Sequence, residues 1–287
     1  MSFISDFKSS PFGLFGGTPQ SSSNYTSTYA PPIAGTSTDP SLASLCGTKW
    51  NLADGRVVAL VQTGASAIGP GLMVQAAATI STFVDLAVPS SSNTGVGSTS
   101  ITVTLGGTPS GGVVANQFAG GYAIVTATSS TGYGQMLRIA SHPAAAASGS
   151  LVLTLEDPLS VALTTGTSTV SLILPQYGSL NGIAGGSGVS DLGVIVTPAT
   201  TLTGRVLGTT LYYLPASTAT VPTYGFIVTN GAAAVLNQGG TTISLDIMCP
   251  SSSAGAVATY TVASGSRVGT STVAGQNGKT ELVTLQL

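Results

Sequence analysis

Few residues of this sequence could carry out acid–base or nucleophilic chemistry. His142 is the only histidine, and it lies in Ala140-Ser141-His142-Pro143, near the end of a predicted strand. A serine-type catalytic triad needs a base positioned beside its nucleophile, and a single histidine cannot form a histidine metal cluster. We therefore interpret His142 as a structural polar residue, in a loop or half-buried.

The acidic residues offer no better catalytic pair. Glu156 and Asp157 are adjacent, but neighbouring residues of a strand point to opposite faces, whereas glycosidases need two carboxylates that face each other. Pro158 follows them and predicts a turn, so we expect the pair to cap that turn. Isolated acids such as Asp85 and Asp246 do not form a calcium-binding loop.

Two glycine-containing segments imitate phosphate-binding motifs without meeting their requirements. Gly278-Lys279-Thr280 resembles the end of a P-loop, but Val273 stands where its first glycine should be. The segment 185–188 breaks the dinucleotide-binding pattern, because Asp191 replaces the last glycine. We therefore expect no enzymatic activity, no cofactor and no metal site.

The shortage of charge narrows the remaining function classes. Charged residues make up 6% of the 287 residues, with 7 Lys and Arg and a formal net charge of −2, against about 25% in ordinary domains. Nucleic-acid binding needs a basic surface, so we exclude it. The mean hydropathy of +0.45 indicates a chain that buries a core rather than a disordered one.

Neither membrane insertion nor secretion is predicted. The longest apolar runs, such as Val57–Val61, are far shorter than the roughly 18 residues of a membrane helix. Residues 1–10 show no cationic segment followed by an apolar one, so we expect folding in a cytosol. Cys46 and Cys249 are far apart and read as small buried hydrophobic residues.

Residues 1–48 form a predicted extended N-terminal arm. This segment is rich in Ser, Thr, Pro, Gly and aromatic residues and has neither helical nor strand periodicity. It is either a disordered tail or a segment that becomes ordered against a partner, because its aromatic side chains are costly to leave in water. Fully extended, about 45 residues reach roughly 150 Å.

From Trp50 onward, short β-branched runs bounded by Gly, Pro, Asn and Ser predict an all-β fold with very little helix. Turn dipeptides agree, namely Asp54-Gly55, Asn181-Gly182, Asn230-Gly231 and Asn277-Gly278, of which the last most clearly predicts a hairpin. The only helix-like stretch is Leu72–Ile80. The predicted strands are Arg56–Gln62, Thr82–Val88, Ser100–Leu105, Tyr122–Ala127, Gln135–Ala140, Leu151–Leu155, Thr169–Leu174, Gly193–Val196, Leu211–Leu214, Tyr224–Thr229, Ile243–Ile247, Val257–Val262, Arg267–Val273 and Glu281–Leu285.

The strands divide into two β-sandwich or barrel-like modules. We predict a first module at 49–178, a glycine-rich linker at 179–192 and a second module at 193–287. With so few charges, the outward strand faces must carry Ser, Thr, Asn and Gln, which leaves sheet edges adhesive unless other subunits cover them. The composition therefore favours an assembly component.

Four basic residues lie in or beside predicted strands, namely Arg56, Arg138, Arg205 and Arg267. An exposed charge of this kind either prevents a sheet edge from pairing with another strand or pairs with a carboxylate across an interface. In both alternatives the arginine has a structural role.

Several segments resemble the head decoration, or cement, proteins of tailed bacteriophages, an all-β group outside the coat-protein shell. Their order along the chain carries the resemblance more than any one of them. Leu202–Pro222 departs from the pattern as an apparent insertion, and the arm before Leu45 is longer than expected. The matching segments are 45–50 with 54–56 and 69–72, Ala115–Tyr122, Gly132–Ile139, Leu153–Leu159, Leu172–Tyr177, Tyr224–Gly231, Ala254–Val257 and Arg267–Gly269.

The resemblance implies a virion structural protein on the capsid surface, assembled in the host cytoplasm and often homotrimeric. Its partners would be the major capsid protein and further copies of itself. The alternatives are a receptor-binding, tail-fibre or vertex protein and, with less support, a surface-layer or adhesin module. The arm residues that we expect to contact the coat are Phe3, Ile4, Phe7, Phe12, Phe15, Tyr25 and Tyr29, with Leu14 beside them.

Overall fold

The computed structural model confirms the all-β class. It describes residues 36–78, 81–92, 94–107, 112–127, 131–179, 192–199, 202–218, 221–238, 247–259, 267–273 and 275–287. These residues form two sheets, of which one is a half-barrel and the other nearly closes like a barrel, and they contain no α-helix. No helix among them has the length and apolar character needed to cross a membrane.

Among the described residues, two 3₁₀ helices, Pro40–Leu45 and Ser81–Phe83, accompany the strands. The strands are β1 (Lys49–Asn51), β2 (Val57–Gln62), β3 (Met73–Gln75), β4 (Leu86–Ala87), β5 (Ser100–Thr104), β6 (Tyr122–Val125), β7 (Met136–Ser141), β8 (Ser150–Leu155), β9 (Thr169–Ile173), β10 (Ile195–Val196), β11 (Val206–Thr210), β12 (Tyr224–Leu236), β13 (Ile247–Pro250), β14 (Val257–Thr259), β15 (Gly269–Ser271) and β16 (Thr280–Gln286).

The six-stranded sheet has the order β4-β9-β6-β7-β8-β5, with antiparallel neighbours throughout. Its two end strands, β4 and β5, contact each other, so the sheet curves round a single core. Alternation along each strand sends every second side chain inward, as with Leu151, Leu153 and Leu155 on β8. The residues at the alternate positions of each strand point outward and form the outer face of this sheet.

The ten-stranded sheet is built around β2 and β12, which pair antiparallel from Val57 to Gln62. Both faces of this pair are buried. Val58 and Leu60 belong to one apolar cluster, and Ala59 and Val61 belong to another on the opposite face. Burial on both sides explains why β2 is a continuous apolar run instead of an alternating one.

Sheet membership departs from the predicted order of two successive modules. Strands β1 to β3 lie within the predicted first module, but they belong to the same sheet as β10 to β16. The six-stranded sheet, residues 86–173, is therefore inserted between β3 and β10. The physical reason is that β2 finds its partner in β12, which is more than 150 residues away in sequence. The predicted linker lies largely outside the described residues.

The last part of the predicted arm packs against the ten-stranded sheet. Backbone hydrogen bonds join Ser37 to Tyr224 in both directions, at 3.1 and 2.8 Å. Leu42 and Ala43, in the first 3₁₀ helix, are buried in the cluster that covers Leu60. Residues 36–48 are thus part of the folded body, and residues 1–35 lie outside the described residues.

One open question is settled and one local prediction is wrong. The stretch Leu72–Ile80, which the sequence leaves open between helix and strand, contains β3, whose residues are all buried and which pairs with both β10 and β11. Asn230-Gly231 is not a hairpin turn. It lies inside β12, where Gly231 has φ +90° and pairs with Leu285 of β16, just after a register shift against β2 between Val228 and Asn230.

Two further strands differ from their predicted positions. The strand predicted at Leu211–Leu214 is replaced by β11, which ends at Thr210, although Leu214 still forms an isolated bridge with Ile68. The predicted strand Thr82–Val88 is reduced to the second 3₁₀ helix and β4. Asp54-Gly55 and Asn277-Gly278 connect β1 to β2 and β15 to β16, as predicted.

Replacing Leu42 with Ala tests whether residues 36–48 are part of the body. Leu42 is 6% exposed, and removing its buried side chain should lower the free energy of unfolding by about 2–4 kcal/mol. The measurement is urea denaturation. The control is Ser44→Ala on the exposed side of the same helix, which should change the stability by less than about 0.5 kcal/mol. Equal effects of the two substitutions would contradict the packing described here.

Candidate interaction surface

His142 is held by backbone atoms on both sides of its ring. It follows β7 and is fully buried, not half-buried. Its Nε2 accepts a hydrogen bond from the Phe118 backbone N–H at 2.9 Å, so Nδ1 carries the proton and donates it to the Pro143 carbonyl at 2.8 Å. Asn116 bonds the His142 backbone in both directions. The imidazole thereby fixes the loop before β6 against β7.

The exposed ion pairs are formed within the chain. Arg138 on β7 pairs with Glu156 at 3.1 Å, and both side chains are well exposed. Glu156 is thus an ion-pair partner and not the predicted turn cap. Arg56 pairs with Asp54 at 2.6 Å across the β1–β2 turn, and its hydrogen bond lowers the pKa of the Asp54 carboxyl. Such exposed pairs contribute little to stability.

The described residues bring together no group of three metal-ligating side chains. Cys46 and Cys249 are thiols without a disulfide, and burial raises the pKa of Cys46 to about 12, which suppresses the thiolate. The P-loop imitation also differs in structure from a P-loop, because strand β16 begins at Thr280, where a helix would be required.

Apolar side chains cluster on the outer face of the six-stranded sheet in a surface that we call the outer patch and that comprises Tyr122, Ile124, Met136 and Ile173. Arg138, opposite Tyr122 on β7, borders the outer patch and is paired with Glu156. Tyr122 on β6 stands opposite Ile173 on β9, and Ile124 stands opposite Met136 on β7. Met136 is 61% exposed, and the other three are half-buried. One exposed and three partly exposed apolar side chains on adjacent strands are typical of an interaction surface.

Local hydrogen bonds hold one end of the outer patch rigid. Gln135 Oε1 accepts from the backbone N–H groups of Ser160 and Val161 at 3.0 and 3.1 Å, and its Nε2 donates to Val161 O at 2.9 Å. These bonds tie the β6–β7 turn to the loop that follows β8. Gly132, with φ +81°, makes the turn possible, and Tyr133 at its tip is 58% exposed.

The structure does not describe the predicted coat-contact residues of the arm. Phe3, Ile4, Phe7, Phe12, Leu14, Phe15, Tyr25 and Tyr29 all lie in residues 1–35, outside the described part. Their role stays a prediction.

Sequence reasoning missed the outer patch, although a signal for it was present. β6 reads Tyr-Ala-Ile-Val without the polar alternate positions of a half-solvated strand. The sequence gives no sign that Met136 and Ile173 flank this strand, because that proximity arises from pairing between distant segments.

No protein-family model, curated protein or solved structure matches the chain.

The buried imidazole predicts a pH-dependent stability. Desolvation lowers the pKa of His142 in the folded chain, with the Pro143 contact opposing it, whereas the unfolded chain takes up a proton near pH 6.5 (about the ordinary value). The unfolded state therefore binds more protons as the pH falls, and the free energy of unfolding should decrease below about pH 6.5. Urea denaturation between about pH 7.5 and 5.5 measures this slope.

The matched variant is His142→Gln, whose amide oxygen can accept from Phe118 N–H but does not titrate. Its stability should change less than that of the wild type over the same pH interval. The same decrease in both proteins would show that other groups cause the pH dependence.

Proposed function

We propose that the chain is a structural virion protein, a capsid decoration or cement protein that binds the outer surface of a phage head and clamps neighbouring major coat subunits. The observation that carries this proposal is the outer patch, a cluster of apolar side chains on three adjacent strands, with the neighbouring Arg138 paired with Glu156. Surfaces of this kind suit a partner that covers them permanently.

The resemblance to cement proteins and the outer patch involve the same strands. The resembling segments Ala115–Tyr122, Gly132–Ile139 and Leu172–Tyr177 overlap β6 at its first residue, β7 at its first four residues and β9 at its last two. Three of the four residues of the outer patch, Tyr122, Met136 and Ile173, belong to those segments. The resembling segments therefore supply part of the outer patch.

The proposed mechanism is mechanical. Packed DNA pushes coat subunits apart, and a clamp opposes this by burying apolar surface across their boundary, at about 25 cal/mol per Å². A permanent contact of this kind buries about 2,000 Å² or more. The outer patch, the arm aromatics and further copies of the chain, in a homotrimer, would together supply such an area. Ion pairs would contribute little, since both exposed pairs described above are satisfied within the chain.

Counting the copies of the chain in purified particles tests the class of protein. A cement protein covers the lattice, so quantitative mass spectrometry should find a copy number comparable to that of the major coat protein. A copy number far below this would contradict the proposal and favour a receptor-binding, tail-fibre or vertex protein.

Replacing Met136 with Lys tests the outer patch. The side chain is 61% exposed, so the stability of the fold should change by less than about 0.5 kcal/mol. Burying an unpaired ammonium group at the interface should nevertheless weaken binding to undecorated shells at least tenfold, a loss of about 1.4 kcal/mol. Sedimentation of the chain with purified shells measures the binding.

The matched control is Thr102→Lys on β5, which the order of the sheet places on the opposite flank from β6. It adds the same charge to the same sheet and should leave binding unchanged. Equal binding by the two variants would show that the outer patch does not contact the shell.

A further inference from the structure

A small apolar cleft opens where the two sheets meet. Its volume is about 130 Å³, close to the roughly 150 Å³ of an apolar cavity known to bind benzene. Phe83 from the second 3₁₀ helix, Phe118 from the loop before β6 and Leu172 from β9 line one side, and Ala76–Ala78, in the segment after β3, line the other. The two phenyl rings pack edge to face with centroids 4.9 Å apart and form the buried floor of the cleft.

The mouth of the cleft is polar and positively charged. Arg205 is exposed and lines the cleft, and its guanidinium donates to Gln176 Oε1 at 3.4 Å. No carboxylate among the described residues forms a salt bridge with it. A guanidinium in this position favours an aromatic ring that is accompanied by an acidic group.

We propose that this cleft binds the phenyl ring of Phe7 from the N-terminal segment of the same chain, with Asp6 pairing with Arg205. Four of the seven phenylalanines of the sequence lie in residues 1–15, and the three that the structure describes are all buried. Among those four, only Phe7 is adjacent to an acidic residue. The ring fits the volume of the cleft, and the neighbouring carboxylate matches the charge at its mouth.

The chain is long enough and begins close enough to reach the cleft. Ser37 pairs with Tyr224, Tyr224 pairs with Gln62, and the Gln62 N–H bonds to the carbonyl of Tyr177, next to Gln176 at the cleft. Hydrogen-bonded neighbouring segments lie about 5 Å apart, so the start of the described chain lies roughly 20 Å from the cleft. The roughly 30 residues between Phe7 and Ser37 can span about 100 Å, and the covalent connection keeps the local concentration of the ring high.

Limited proteolysis of the full chain with chymotrypsin tests this docking without any shell, so the result is independent of the proposed function. Chymotrypsin cleaves after phenylalanine, and a buried ring protects its own peptide bond. Cleavage after Phe7 should be at least tenfold slower than cleavage after Phe12, which serves as an internal reference. Comparable rates at the two sites would overturn the proposal.

Charge variants identify the cleft as the source of protection. Arg205→Glu should raise the cleavage rate after Phe7 at least tenfold and leave the rate after Phe12 unchanged, whereas Lys279→Glu, the same charge change at an exposed turn, should alter neither. Combining Asp6→Lys with Arg205→Glu should restore protection, and Ala78→Leu, which fills the half-buried mouth, should abolish it. Failure of the Arg205 variant to raise cleavage, or protection that increases with protein concentration and so comes from a second copy, would contradict docking within one chain.

Discussion

The pairing of β2 with β12 is the interaction on which the rest of the fold depends. Its two faces are both apolar, with Val58 and Leu60 on one side and Ala59 and Val61 on the other, so both must be covered. The first 3₁₀ helix contributes to the cover of one face, and Ile68 and Leu214 contribute to the other. Because β12 continues beyond β2 to pair with β16, the same strand also connects the second half of the sheet.

The shortage of charge has its consequence on the outside of the molecule. In an ordinary domain, charged surface side chains prevent association with other molecules. Here the exposed strand positions described above carry few charged side chains, and Arg138 and Glu156 neutralise each other. Tyr122, Ile124 and Met136 then give the six-stranded sheet a surface suited to permanent contact. The composition and the outer patch support the same proposal, a part of a larger assembly.

Much of the local structure could be predicted from the sequence, and the arrangement of the strands could not. The alternation of apolar and polar residues in Leu151–Leu155 reveals a strand and its buried face, because successive side chains of any strand point to opposite faces whatever its neighbours are. The choice of neighbours depends on distant pairing, so the union of β2 with β12 was missed. Gly231 shows the same limit: Asn-Gly commonly forms a hairpin turn, and only the pairing with β16 shows that the strand continues through it. His142 was predicted to lie in a loop or to be half-buried; its complete burial and its bonds to Phe118 and Pro143 depend on the tertiary structure.

The central claim is that uncharged apolar surface, and not ion pairing, attaches this chain to its assembly. The most direct measurement is the amount of the chain retained on purified particles as the salt concentration rises from about 50 mM to about 1 M, a range over which screening becomes nearly complete. The account predicts unchanged retention, because burial of apolar surface does not weaken with salt. Loss of the chain between low and moderate salt would contradict it and would identify charge pairing as the force that holds the contact.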